Sequence, residues 1–515
     1  MRSPVAIPLA AHTPRRATRG ARAAVLTVLL LAGCARQPRP VTAPAAAALS
    51  RVGALQAEID HALAVPPLDR TLVAIDVESL DNGEVLYRLN ANKLVMPASN
   101  MKLVTLAAAA ERLGWDFTYE TRLMSAAAIE QGLLMGDLVV VGSGDPTING
   151  RGGSPTRVFE DWADKLRAMG IQAIAGRVLG DGRAFADERL GAGWSWDYLG
   201  YGYAAPIGAL QFNEDLVEVA IRPGTAPGDA VRIELRPPDS GLVVSNRATT
   251  SPKGEQPTVE LHRLPGSNRL KVTGSVPAET QEYKTSASVD DPTGYFARAL
   301  RATLVSKGIE VRGDAADLAT LAEPPDLSRA RLLLSHQSPP LSELARTLMK
   351  VSQNLYAETL LRTLGAQRGD PTAESGRKVV QQVLESWGIP PDALVQTDGS
   401  GLSRYDYVTA ETLVRILTRM RRDPRHADRF ADTLPIAGRD GTLARRMKET
   451  RAEGNARAKT GSIANVRALS GYVRTLDDEM LAFSIIVNNF SAPQETVDAV
   501  ADRIVERLAN LTRKE

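Results

Sequence analysis

The chain has 515 residues, which is more than one hydrophobic core accommodates, so two or three domains are expected. Its 62 basic and 60 acidic residues nearly balance, and this argues against nucleic acid as a partner. The five histidines have no paired spacing and there is a single cysteine, a composition that argues against a metal centre built on either residue type. We therefore predict neither a metal nor a cofactor.

The N-terminus has the pattern of an export signal. Basic residues between positions 15 and 22 precede an apolar run over residues 23–31, which is shorter than the roughly 20 residues that span a bilayer. The run ends in Leu31-Ala32-Gly33-Cys34 and resembles a bacterial lipoprotein signal, whose cysteine becomes the lipidated first residue. We predict a signal peptide over residues 1–33 and a lipid anchor on Cys34. The alternative is an ordinary signal peptide with an incidental cysteine.

Between Cys34 and residue 326, the composition and the predicted secondary structure change twice. Residues 34–50 are rich in Ala and Pro, as an extended tether would be. Ser50 is placed to cap a helix, and strands are predicted over residues 71–77 and 84–89, joined through Asp81-Asn82-Gly83. From residue 117 to residue 326, short apolar alternations separated by turn residues predict inserted β-rich material.

The last part of the chain returns to helical spacing. Helices are predicted over residues 341–364, 376–387 and 410–421, strands over 468–473 and 480–487, and an amphipathic helix over 494–511. A hairpin at the start, with two strands and a helix at the end, indicates one α/β domain interrupted in sequence. We predict that residues 51–116 and 327–515 form this domain and that residues 117–326 form one or more inserted domains.

Three short motifs carry the chemistry. Each alone is weak, and Ser375 begins a second Ser-x-x-Lys sequence, but their order along the chain is specific. They are Ser99-Asn100-Met101-Lys102, Ser352-Gln353-Asn354 and Lys459-Thr460-Gly461.

The spacing of the first motif suits a serine nucleophile without a histidine. A helix that begins after Pro97 puts Ser99 and Lys102 on the same face, one turn apart. The positive end of the helix dipole and a nearby cation favour a neutral Lys102 amine, which then accepts the Ser99 proton. Ser352 and Lys459 complete a proton relay to the leaving amine, and Asn354 orients Lys102.

The third motif suits the carboxyl end of a peptide. The Lys459 cation and the Thr460 hydroxyl match a terminal carboxylate, and Gly461 allows a ligand to lie against the strand as an added strand. The backbone N–H groups of Ser99 and Ser462 are predicted to form the oxyanion hole.

The ordered motifs resemble the signature of penicillin-recognising serine enzymes. Their surroundings, over about residues 50–511, resemble the D-alanyl-D-alanine carboxypeptidase/endopeptidase family, the low-molecular-mass class C penicillin-binding proteins. The long interval between Lys102 and Ser352 fits that family, which carries inserted domains there. The supporting segments are residues 96–99, 142–147, 193–197, 398–404 and 434–438.

The resemblance implies a β-lactamase/transpeptidase-like α/β (α+β) fold, with an antiparallel sheet flanked by helices. It implies a serine-type D-Ala-D-Ala carboxypeptidase, also a D,D-endopeptidase, that acts on peptidoglycan stem peptides through an acyl-Ser99 intermediate. β-Lactams are then expected to acylate Ser99. An acidic residue of the inserted region reads the stem peptide's amino group in this family; Asp197 is the candidate here, unless the alignment shifts by one to Tyr198.

Two alternatives stay open. One is a β-lactamase or esterase with the same motifs, and the other is a non-catalytic lipoprotein that binds peptidoglycan. The predicted location is the periplasm, with the chain anchored to a membrane through Cys34. Because Ala35 stands where an aspartate is associated with inner-membrane retention, the outer membrane is favoured.

Overall fold

The computed structural model describes residues 50–514, so the predicted signal peptide, the tether up to residue 49 and Cys34 lie outside the described residues. Ser50 caps the first helix, because its side chain accepts a hydrogen bond from the Gly53 backbone N–H at 3.1 Å. No helix within this part of the chain has both the length and the apolar composition to cross a bilayer. The α-helices of the described residues are α1 (Arg51–Leu63), α2 (Met101–Leu113), α3 (Arg157–Ala168), α4 (Pro292–Ser306), α5 (Leu341–Lys350), α6 (Asn354–Ala366), α7 (Ala373–Ser386), α8 (Ala410–Arg422), α9 (Ala427–Thr433) and α10 (Gln494–Ala509).

Most strands between residues 120 and 337 are short, as the turn residues there predict. The strands of the described residues are β1 (Leu72–Ser79), β2 (Val85–Leu89), β3 (Glu120–Ser125), β4 (Ile129–Glu130), β5 (Leu133–Leu134), β6 (Leu138–Val141), β7 (Ala173–Ile174), β8 (Val178–Asp181), β9 (Leu216–Arg222), β10 (Arg232–Arg236), β11 (Val243–Asn246), β12 (Thr249–Ser251), β13 (Glu260–His262), β14 (Arg269–Thr273), β15 (Ser275–Pro277), β16 (Tyr283–Ser288), β17 (Glu310–Val311), β18 (Ala315–Asp317), β19 (Arg331–Gln337), β20 (Leu394–Val395), β21 (Tyr407–Val408), β22 (Arg457–Ile463), β23 (Val466–Arg474) and β24 (Met480–Asn488).

One antiparallel sheet joins the two ends of the chain. Its strand order is β2-β1-β24-β23-β22, and β1 pairs with β24 along its whole length. Helices α1 and α10 pack on one face through residues such as Ile59 and Ile504, and α2 and α8 pack on the other through Leu106 and Leu413. The predicted antiparallel sheet flanked by helices is therefore confirmed.

The inserted region has its own cores. An aromatic cluster of Phe159, Trp162, Phe212 and Phe296 lies between α3, α4 and the sheet β18-β8-β6-β3-β19. A second core fills the small sheets formed by β9 to β16. Because β19 pairs with β3, the inserted region's sheet extends past the predicted boundary at residue 326 to Gln337.

The predicted single helix over residues 341–364 is wrong. The structure has two helices there, α5 and α6, separated at Val351, Ser352 and Gln353. Ser352 has a φ of +61°, in the left-handed region that an α-helix does not use. The break turns the Ser-x-Asn motif into a loop between two helices and brings its serine to the site.

Candidate active site

The predicted nucleophile lies in a tight turn at the start of α2. Pro97 precedes a single 3₁₀ turn over Ala98–Asn100, and the α-helix continues from Met101. Ala98 has a φ of +45°, which an alanine adopts only when its surroundings hold it there. Ser99 is half-buried, so its hydroxyl is reachable from the adjoining cleft while its backbone is fixed.

Lys102 is buried beneath Ser99, as the motif's spacing predicts. Its Nζ lies 2.9 Å from Ser99 Oγ, 2.6 Å from Asn354 Oδ1 and 2.7 Å from the Ser400 carbonyl oxygen. Burial lowers the pKa of this amine to about 7, although nearby carboxylates, Asp398 first, oppose the shift. A substantial fraction of Lys102 is therefore neutral near pH 7 and competent to accept the serine proton.

The second serine-lysine pair lies on the other side of the cleft. Lys459, on β22, donates to Ser352 Oγ at 2.8 Å and to the Thr460 carbonyl oxygen at 2.7 Å. Burial, followed by repulsion from Lys102, holds the pKa of Lys459 well below its usual range. The structure thus brings Ser99, Lys102, Ser352, Asn354 and Lys459 into one connected cluster.

Gly461 also has a structural role that the motif does not reveal. A Cβ at this position would lie 2.6 Å from the Pro97 carbonyl oxygen and 2.9 Å from the Ala468 Cβ. The missing side chain therefore makes room for the nucleophile turn. Gly401 acts in the same way, because a Cβ there would lie 1.7 Å from the Ala98 carbonyl oxygen.

The cleft has a volume of about 490 Å³ and runs beside β22. Since β22 ends the sheet, its outer edge has backbone groups available for an extended ligand. Thr460 and Ser462 both line the cleft. The lining comprises Ser99, Tyr198, Tyr203, Ser352, Asn354, Gly401, Leu402, Thr442, Thr460, Ser462, Ile463, Ala464 and Gln494.

Asp197 does not line this cleft. Its carboxylate accepts a hydrogen bond from Ser195 Oγ, and it borders a separate cavity of about 380 Å³ with Trp196 and His262. Tyr198, the neighbour that the sequence left as an alternative, lines the cleft instead. The reason is the 3₁₀ turn over residues 196–198, which points adjacent side chains in different directions.

Several residues of the site belong to none of the three sequence motifs. Tyr198 and Tyr203 form one wall of the cleft, with ring centroids 5.5 Å apart in an edge-on arrangement. Arg467 donates to Ser462 Oγ at 2.6 Å, and Thr460 donates to Thr442 Oγ1 at 2.7 Å. Apart from Tyr198, which the alignment left as an alternative to Asp197, their only sequence signal was proximity to recognised segments, and this did not distinguish them from ordinary surface residues.

Two buried carboxylates shape the loop that contacts Lys102. Glu358 accepts hydrogen bonds from the backbone N–H groups of Gly399 and Ser400, at 3.0 and 2.9 Å. Asp398 accepts from the backbone N–H groups of Gly401 and Ser403, at 2.6 and 2.7 Å. These bonds hold the loop that presents the Ser400 carbonyl to Lys102.

One group of possible metal ligands exists among residues 50–514, and it is remote from the motifs. Glu111, Asp423 and His426 have ligand atoms within 4.8 Å of one another. Arg425 already forms ion pairs with both carboxylates, at 3.0 and 2.8 Å. The acidic charge is thus compensated by the protein itself.

The chain is similar to known proteins over most of its length. The chain is 35% identical over 503 residues to the D-alanyl-D-alanine carboxypeptidase of Actinomadura sp. (strain R39), covering 95% of this chain and 91% of that protein. It is 28% identical to a D-alanyl-D-alanine carboxypeptidase of Haemophilus influenzae, covering 81% of this chain and 86% of that protein.

The fold is similar to that of a solved relative. The crystal structure of penicillin binding protein 4 from Haemophilus influenzae superposes with a TM-score of 0.76 at 24% identity, covering 89% of this chain and 99% of that one. The sequence profile of one family matches residues 55–511, which contain all three motifs. The chain therefore belongs to the D-Ala-D-Ala carboxypeptidase 3 (S13) family.

Proposed function

We propose that this D-Ala-D-Ala carboxypeptidase hydrolyses peptidoglycan stem peptides with Ser99 as its nucleophile and Lys102 as the general base. The observation that carries the proposal is the position of Lys102 Nζ, within hydrogen-bond distance of Ser99 Oγ, Asn354 Oδ1 and the Ser400 carbonyl. A buried amine with a pKa near 7 that touches a half-buried hydroxyl is suited to proton transfer at neutral pH.

In the acylation step, Lys102 accepts the Ser99 proton while Ser99 Oγ bonds to the carbonyl carbon of the penultimate D-Ala. The backbone N–H groups of Ser99 and Ser462 stabilise the oxyanion. The bond to the terminal D-Ala nitrogen then breaks. Ser352, hydrogen-bonded to Lys459, passes its proton to that nitrogen and receives in return the proton that Lys102 took from Ser99, which leaves Lys102 neutral again. Water then attacks the acyl-Ser99 ester while Lys102 accepts a proton from it, and Lys102 returns that proton to Ser99 Oγ as the ester bond breaks.

Substrate binding is assigned to the edge of β22. An extended peptide pairs with its free edge, and the terminal carboxylate lies near Lys459 and the Thr460 hydroxyl. Gly461 supports this site from below by leaving room for the Pro97 carbonyl. The same machinery serves D,D-endopeptidase cleavage, since the leaving group is again an amine on a D-centre.

Covalent binding of penicillin tests the nucleophile directly. Mass spectrometry of the purified soluble domain after benzylpenicillin should find an adduct on the Ser99 peptide, and Ser99→Ala should have none. Folded protein without an adduct at Ser99 would contradict the mechanism and support a non-catalytic binding role. Release of D-Ala from a disaccharide pentapeptide, with slow turnover of nitrocefin, would separate the carboxypeptidase from a β-lactamase.

We also propose the cell location and organisation from the sequence. Residues 1–33 act as the signal peptide, Cys34 carries the lipid and residues 34–50 are the tether to the periplasmic enzyme, with the outer membrane favoured. The catalytic domain is formed by residues 51–116 and by the part of residues 327–515 that follows β19, around the inserted region. In membrane fractionation, wild type should be found in the outer-membrane fraction and Cys34→Ser in the soluble fraction. Wild type in the soluble fraction would contradict the anchor.

A further inference from the structure

Ser352 has a backbone conformation that other residues must hold. Its φ of +61° is unfavourable for a serine. Its hydroxyl nevertheless lies 2.8 Å from Lys459 Nζ. If the backbone relaxed to a favourable conformation, the hydroxyl would move away from this contact. The contacts of the two following residues, Gln353 and Asn354, show what holds this loop.

Gln353 is fixed at both ends of its side chain. Its Oε1 accepts a hydrogen bond from the Leu355 backbone N–H at 3.0 Å and so caps α6. Its Nε2 donates to Glu214 Oε2 at 2.6 Å. Glu214 belongs to the inserted region, so a residue far away in sequence determines the direction of the Gln353 side chain.

Glu214 is itself held rigidly. It is buried, and both of its carboxylate oxygens contact the Arg151 guanidinium, with Nη2 to Oε2 at 2.8 Å. It lies in a run of three left-handed residues, Asn213, Glu214 and Asp215, with φ of +52°, +57° and +57°. Three consecutive residues in this region are rare, and such strain concentrates where a side chain must be aimed accurately.

The inserted region also contacts Asn354, the last residue of the Ser-x-Asn motif. Asn354 Nδ2 donates to the Tyr203 carbonyl oxygen at 2.7 Å, which leaves Asn354 Oδ1 directed at Lys102. Residues of the insert therefore contact the motif at Gln353 and at Asn354. Among the described residues, none of the insert hydrogen-bonds Ser352 itself, whose hydroxyl accepts from Lys459.

We propose that Glu214 is a positioning residue of the active site: through Gln353 it fixes Ser352 in the left-handed conformation that places its hydroxyl on Lys459. The inference rests on the proposed role of Ser352 in proton transfer. It gives the inserted region a part in catalysis through the Arg151–Glu214–Gln353 chain, in addition to its place beside the cleft.

A charge-swap cycle tests this contact. Gln353→Glu puts two carboxylates face to face and should lower the rate constant for acylation of Ser99 by benzylpenicillin about tenfold or more, with little change in the initial binding constant. The double variant E214Q/Q353E restores a donor and an acceptor, since the amide at position 214 donates to the carboxylate at 353. Its acylation rate should return to within about threefold of wild type.

The outcomes separate this proposal from the assignment of the nucleophile. Wild type that is not acylated at Ser99 would refute the proposed function itself. If wild type is acylated, a Q353E variant as fast as wild type, or a folded double variant as slow as Q353E, would overturn the role of Glu214. Asp137→Asn, which weakens the Asp137–Arg177 ion pair elsewhere in the insert, is the control and should react normally.

A second pair of variants covers the case in which Q353E does not fold. Glu214→Gln keeps an acceptor for Gln353 and should react within about twofold of wild type, whereas Glu214→Ala should be about tenfold slower. Equal acylation rates for these two variants and wild type would overturn the proposal. Melting temperatures of all variants confirm that the folded protein is being compared.

Discussion

Asn354 Oδ1 lies 2.6 Å from Lys102 Nζ, so the Ser-x-Asn motif holds the amine of the Ser-x-x-Lys motif. The two residues lie on different helices, α6 and α2, which pack against each other in one core. Because Asn354 Oδ1 and the Ser400 carbonyl both accept hydrogen bonds, they favour the protonated lysine, while burial favours the neutral one. The balance leaves Lys102 able to change charge near neutral pH.

This balance predicts the pH dependence of acylation. Lys102 accepts a proton only as the free amine, and its pKa is lowered to about 7. The second-order rate constant for benzylpenicillin acylation should therefore rise as pH increases through about 7 and level off above it. Stopped-flow measurements between pH 5 and 9 check this, and a rate that falls over the same range would contradict a lysine base. In Lys102→Ala, the rate constant for acylation should be lower by about 10²-fold or more at every pH.

Glu358 should tune the same pH profile. Its pKa is raised to about 7, first by burial, and its negative charge raises the pKa of Lys102. Glu358→Gln keeps an acceptor for the Gly399 and Ser400 N–H groups but removes the charge, so the Lys102 pKa should fall further. The midpoint of the acylation profile should move to lower pH by a few tenths of a unit.

The exposed residue Glu374 provides the control for that measurement. It pairs with Lys378 on the surface of α7, so Glu374→Gln removes a charge of the same sign outside the buried network. This variant should leave the midpoint where wild type has it. A midpoint that moves to higher pH in Glu358→Gln would contradict the electrostatic argument, because loss of a negative charge disfavours an ammonium.

Gly461→Ala should damage the nucleophile turn. The added Cβ would lie 2.6 Å from the Pro97 carbonyl oxygen, which is backbone and cannot move without moving Ser99. We expect a cost of about 1–3 kcal/mol in unfolding free energy and acylation at least about tenfold slower. Denaturant unfolding and the benzylpenicillin reaction measure the two effects. Gly152→Ala is the matched control, since nothing lies within 4 Å of the added atom.

Gly461 also illustrates what the sequence conveys and what it leaves out. The Lys-Thr-Gly motif predicts a glycine that lets a ligand lie against the strand, and the structure adds a close approach of another part of the chain. The partner, however, comes from Pro97, several hundred residues earlier, and only the completed sheet shows that the Cβ direction faces the nucleophile turn. By contrast, the Ser99–Lys102 contact is local to one helical turn, so its spacing sufficed.

The helix break at Ser352 marks a second limit. Apolar spacing continues from α5 into α6, which is why one helix over residues 341–364 is the natural prediction. The interruption depends on long-range contacts of Gln353 with Glu214 and of Ser352 with Lys459. The role of Glu358 could not be predicted from the sequence either, because a glutamate within an amphipathic helix gives no sign that it is buried beneath a loop.

The Tyr198 side of the cleft yields the last prediction. Tyr198 packs edge-on against Tyr203 at 5.5 Å and lines the cleft, whereas Asp197 borders a different cavity. Tyr198→Ala removes a wall of the peptide site and should lower kcat/KM for D-Ala release from a pentapeptide about tenfold, mainly through KM. Asp197→Asn should change it less than about twofold.

These two variants decide between adjacent residues. Both lie in one 3₁₀ turn, so a general disturbance of that turn would affect them alike, and their melting temperatures serve as the check. A loss of peptide hydrolysis in Asp197→Asn with full activity in Tyr198→Ala would restore Asp197 as the residue that reads the stem peptide. The opposite result would mean that an aromatic wall, rather than a carboxylate, contacts the substrate on the inserted region's side. The reason is that the Tyr198 ring, and not the Asp197 carboxylate, lines the cleft there.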